Sequence, residues 1–113
     1  MGQSRCRCES ADSPTDQFSS VYIGCDETAG RYADVSLLRC EICGRDWLNY
    51  SVNYEGFRKS GRWARGLVDL STGIKLNPAQ VVDHLNGLDW YLYGGSYFDG
   101  QSGQRRGPMH WGV

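Results

Sequence analysis

The sequence predicts an α+β fold: a small antiparallel sheet, one helix over about 78–86 and an aromatic C-terminal segment, held together through cysteines. Three observations carry this. Leu48, Tyr50, Val52 and Tyr54 alternate with Asn49, Ser51 and Asn53, a period of two that places one side of a strand in a core and the other in water. Asn77, Pro78 and Gly87 are start and stop residues for a helix, and Val81, Val82, Leu85 and Leu88 form its apolar stripe. Glycine occurs 15 times in 113 residues, which favours turns over long helices.

The remaining elements follow in order. Residues 9–17 are polar, contain Pro14 and read as a loop. Phe18 to Cys25 reads as a strand, and Asp26 to Asp34, with Gly30, as a turn or loop. Val35 to Leu38 leads into Cys40, and Trp47-Leu48 leads out of Cys43. Gly56 ends the alternating strand, Ser60-Gly61 marks a turn, and Trp63 to Leu70 is its partner strand. The run 88–98 is dense in aromatics, with a turn at Gly94-Gly95. The length fits a single domain over 1–113, with 101–113 a flexible tail from which Trp111 can dock.

Composition bounds the function. Hydrophobic residues are 40% and charged residues 22%, which is globular rather than disordered. The net charge of -1 lacks the basic excess of a protein that lives on nucleic acid. That charge is unevenly spread. From Glu9 to Asp46 eight acidic and three basic residues give -5, whereas from Phe57 to Lys75 five basic and one acidic residue give +4. No apolar run has the length of a membrane span, and the N-terminus has no signal-peptide core, so a cytoplasmic location is expected. Gly2 stands where a myristoylated glycine would, but position 6 is Cys rather than Ser or Thr.

The five cysteines are the strongest chemical signal. Cys6 and Cys8 form a C-x-C pair, Cys40 and Cys43 a C-x-x-C pair, and Cys25 is left over within a strand, most simply as a small core residue, with a substitute ligand as the alternative. An odd count suits disulfides poorly, and a reducing compartment disfavours them. Two close pairs suit tetrahedral Zn²⁺, which takes four thiolates. Four protein ligands leave no position for a reactive water, so the ion is expected to be structural. A C-x-x-C redox pair would sit at a helix N-terminus, and here the flanks read as strands. The run Arg39-Cys40-Glu41-Ile42-Cys43-Gly44-Arg45 resembles a zinc knuckle, with Gly44 supplying positive φ. The segment from Cys6 to Tyr54 is similar to the zinc-ribbon class of four-cysteine modules, and that resemblance implies a place in nucleic-acid machinery.

Catalytic patterns are missing. There is no G-x-S-x-G, no H-E-x-x-H and no phosphate-binding glycine loop, and neither His84 nor His110 has a telling neighbour. The expected function is therefore non-enzymatic: a zinc-stabilised domain that binds another protein, as adaptors, inhibitors and toxin-immunity proteins do. Exposed rings among Trp90, Tyr97 and Phe98, with Arg58, Arg62, Trp63 and Arg65, are the expected contact residues, since Trp, Tyr and Arg dominate interface hot spots. The alternatives are a nucleic-acid-binding ribbon using the cations and rings of 57–66, and a small enzyme whose site is assembled only in space.

Overall fold

The computed structural model describes residues 7–9, 17–28, 32–54, 58–109 and 111. Its frame is one six-stranded sheet in which every strand pairs antiparallel with the next in sequence. The strands are β1 (Phe18–Asp26), β2 (Ala33–Cys40), β3 (Asp46–Val52), β4 (Arg62–Leu67), β5 (Tyr91–Gly94) and β6 (Ser102–Arg105). Two short helices, α1 (Leu70–Gly73) and α2 (Val81–Asn86), lie in the connection between β4 and β5.

This corrects the α+β expectation. Helix α1 is four residues and α2 is six, too short to form a layer of their own. The expected helix over 78–86 is a 3₁₀ turn at Pro78–Gln80 running into α2. Its start is built as the sequence suggested: the Asn77 side chain accepts from the Ala79 amide, and Gln80 reaches back to the Asn77 amide. The aromatic segment is not an appendage to a small sheet. Tyr91–Gly94 enters the sheet between β4 and β6, so a sheet-dominated fold replaces a small zinc-knuckle sheet with a helix.

Strand register sorts the side chains onto two faces. On the helical face, Val35, Leu37, Leu48, Tyr50, Val52, Ala64 and Tyr91 are buried against Val81 and Leu85. Gly66 admits the helix: a Cβ there would lie 2.4 Å from Leu88 Cδ1 and 2.6 Å from Leu85 Cδ2. The C-terminal segment closes the same face. Met109 and Trp111 are buried, the Trp111 ring packs edge-on to Tyr50 with centroids 4.6 Å apart, and Tyr54 Oη donates to the Trp111 carbonyl at 2.7 Å.

The opposite face carries a second, smaller core of Cys8, Cys40, Trp47 and Leu92, flanked by Phe18, Leu38, Trp63, Leu67 and Trp90. Among the described residues no α-helix lies over it. What covers its Cys40 end is the 3₁₀ turn Arg7–Glu9, which inserts the fully buried Cys8.

Candidate metal centre

Three thiols meet at the β2–β3 hairpin. Cys40 is the last residue of β2, and Cys43 lies in the turn that follows. The hairpin is tight: the Gly44 amide donates to the Cys40 carbonyl at 2.8 Å, and the Cys40 amide donates to the Arg45 carbonyl at 2.9 Å. Gly44 makes the turn possible by adopting φ +79°, a conformation L side chains rarely hold. Cys8 comes from the N-terminal 3₁₀ turn, 35 residues from Cys43, with its Sγ 3.5 Å from Cys43 Sγ. The Sγ atoms of Cys8, Cys40 and Cys43 all lie within 4.8 Å of one another.

That geometry can be compared with a bound ion. Tetrahedral zinc with Zn–S bonds of about 2.3 Å separates its sulfurs by about 3.8 Å. The three thiols therefore stand at the spacing a metal would require, and the cluster can hold an ion. Cys6, the fourth cysteine of the expected set, lies outside the described residues, so the structure assembles three of the four.

The surroundings suit thiolates. Gln17, itself buried, donates from Nε2 to Cys40 Sγ at 3.3 Å, and its carbonyl accepts from the Glu41 amide at 2.9 Å. This clamp ties the start of β1 to the hairpin, and nothing in the spacing of the cysteines announced it. Arg45 sits near Cys43 and Cys8 and pairs with Glu9, whose hydrogen bond is the main reason its guanidinium is held above its ordinary pKa. Arg39 pairs with Asp46 at 2.9 Å across the base of the hairpin. Deeper in the face, Arg65 lies 5.0 Å from the Phe18 ring and 4.8 Å from Trp63. Burial pushes its pKa down, and its Nη1 has no hydrogen-bond partner among the described residues, nor has Trp47 Nε1. Buried donors of this kind suit a neighbouring negative charge, which thiolates would supply if the cluster held a metal.

The expected contact residues scatter. Arg58 is exposed in the turn before β4, while Arg62 and Arg65 are only 2% and 8% exposed. Arg62 belongs to the helical face, its guanidinium 3.9 Å from the Tyr97 ring and its Nε donating to the Ser60 carbonyl. Arg65 belongs to the opposite face. Their spacing of three along a strand sends them to different sides, which a reading of 57–66 as one basic patch overlooked. Trp63 is half-buried and packs over Gly94, where a Cβ would come within 2.8 Å of its ring. Trp90 packs edge-on to Trp47 at 6.0 Å, and Phe98 lies between Tyr93 and Tyr97. Tyr97 is 40% exposed, the most open of the expected aromatic contacts. Lys59, Trp63, Gly95, Ser96, Asp99 and Ser102 line an open cavity of about 690 Å³ beside it.

His84 Nε2 is 3.2 Å from the Leu67 carbonyl, a bond that ties α2 to β4, and His110 lies outside the described residues. Cys25 stands at the far end of β1 from the thiol cluster, paired with Asp34 in the register. Among the described residues no helix is long and apolar enough to cross a membrane. No protein family, curated protein or solved structure matches the chain.

Proposed function

We propose that this chain is a zinc-stapled, non-enzymatic domain that binds another protein. In this reading Cys8, Cys40 and Cys43 hold the ion and Cys6, two residues before Cys8, supplies the fourth thiolate. The observation that carries it is the convergence of three thiols, within 4.8 Å, from segments far apart in sequence. The role of the metal is mechanical: it pins the N-terminal turn onto a sheet face that, among the described residues, no α-helix covers. Thiols kept ready for a metal imply a reducing compartment, which agrees with a cytoplasmic protein.

The protein-binding part rests on surface chemistry. Lys59, Trp63 and Asp99 line the cavity after β5, and the exposed Tyr97 and Arg58 lie close by in sequence, an aromatic and charged surface suited to a protein partner. The nucleic-acid alternative has less support, because two of its four cations, Arg62 and Arg65, are buried and Lys59 pairs with Asp99 at 2.7 Å.

Metal content of protein purified without added metal is the direct test, measured beside a count of reactive thiols. One zinc per chain, with Cys25 the only thiol alkylated at alkaline pH, is the expected result. No bound metal, with all five thiols reactive, would remove the staple. For the partner, a cross-linking group placed at Tyr97 should capture one dominant protein, and Tyr97→Ala combined with Lys59→Glu should abolish its binding.

A further inference from the structure

We infer that β1 is a self-pairing edge, through which two copies of this chain join their sheets into one. This goes beyond the zinc reading and does not depend on it.

The two ends of the sheet differ. Among the described residues β6 is a four-residue edge, with Arg105 at its end and Arg106 next to it, the charges that natural edges use to repel further strands. Edge β1 is nine residues long, and the run from Gln17 to Cys25 contains no charged residue. Among the described residues β1 pairs with β2 along one side only. Its second half is guarded: a bulge between Tyr22 and Gly24 interrupts the ladder, and Pro78 packs within 3.0 Å of where a Gly24 Cβ would be. Its first half is not. Residues 19–22 are exposed, with Val21 65% and Tyr22 60% accessible. An unguarded strand edge presents main-chain donors and acceptors in a row, and what satisfies such a row is another strand.

The side chains beside that edge favour a second copy as the occupant. On the helical face Val21 pairs with Leu37, and α1 lies over Leu37 at Gly73. Leu70 and Ile74, 41% and 64% exposed, complete a mainly apolar groove of about 290 Å³ with Val21, bounded by the Arg39–Asp46 ion pair. Antiparallel pairing of β1 with β1 about a two-fold axis perpendicular to the sheet keeps both helical faces on one side. It sets Val21 of each copy against the other, with Ser20 opposite Tyr22, and brings the two Val21–Leu70–Ile74 patches together. In such an interface a residue near the axis meets its own copy, so any charge there would repel itself. β1 carries none from Phe18 to Cys25, and the two charges beside the groove, Arg39 and Asp46, neutralise each other within one copy. The net charge of -1 likewise adds little repulsion between copies.

The test is sedimentation of the 113-residue chain as purified, across a concentration series, with Val21→Lys, Val21→Asp and Ile74→Asp compared. Each site is well exposed, so circular dichroism and metal content should match the wild type. The expected result is a wild type of twice the chain mass, single variants that sediment as monomers, and recovery of the dimer when the Lys and Asp variants at position 21 are mixed. A wild type that stays monomeric at every concentration overturns the proposal. So does a dimer that survives Val21→Lys, or one that the mixture does not restore. Bound zinc in a monomeric wild type would overturn this edge alone and leave the staple standing.

Discussion

The two faces of the sheet are covered by different means. On the helical face, Val81, Leu85, Met109 and Trp111 close over a continuous layer of Val, Leu, Tyr and Ala, and side-chain volume does the holding. The opposite face has a core of four fully or nearly fully buried residues, two of them cysteines, beneath a three-residue turn. Burying apolar surface stabilises by roughly 25 cal/mol per Å², so a segment this short gains little from contact alone. In the proposed zinc reading a metal bond would make up the shortfall, because its free energy of binding appears as free energy of folding. A domain of this size can thus finish one face by packing and the other by coordination.

Removing the coordination should break that comparison most sharply. Cys40→Ser should lower the unfolding free energy by several kcal/mol and lose the bound metal. Chelation of the wild type should produce the same drop in a denaturant titration. A Cys40→Ser protein as stable as the wild type would show that packing holds both faces.

Removing packing on the helical face should act differently. Trp111→Ala takes away a ring that is 4% exposed and seated against Tyr50, and should cost about 3–5 kcal/mol while leaving metal content unchanged. Loss of metal in that variant would mean that the faces are not independent.

The smallest effect sharpens the contrast between thiols. Partial burial raises the pKa of Cys25, and the charges of Asp34, Glu27 and Asp26 act in the same direction. A raised pKa means less thiolate at a given pH, and thiolate is the form that reacts. Alkylation of Cys25 should therefore be slow near neutrality, and its pH profile should lie to the alkaline side of a free cysteine peptide. Chelating the metal should leave that profile in place, since Cys25 is at the opposite end of the β1–β2 ladder from Cys40. A profile that shifts on chelation would place Cys25 within reach of the cluster.

Local signals were legible where one residue type has one physical use. Asn77 and Pro78 wrote the helix start, the alternation from Leu48 onward wrote β3, and Gly44 wrote a turn. Gly87 ends α2 as expected, but with φ -87° rather than the left-handed value that glycine allows. β5 and β6 were not legible. Each is four residues long, and their pairing is decided by partners elsewhere in the chain rather than by their own pattern.

What the sequence determined by itself was the chemistry on offer: two cysteine pairs, a capped helix start, a strand of period two and no catalytic signature. Tertiary structure decided the rest. It brought Cys8 to the hairpin of Cys40 and Cys43, buried Arg62 and Arg65 on opposite faces, turned an aromatic tail into strands and left β1 at an edge. The physical reason is that caps and turns depend on neighbours along the chain. Burial, strand order and the meeting of ligands depend on residues tens of positions away, and no local pattern records them.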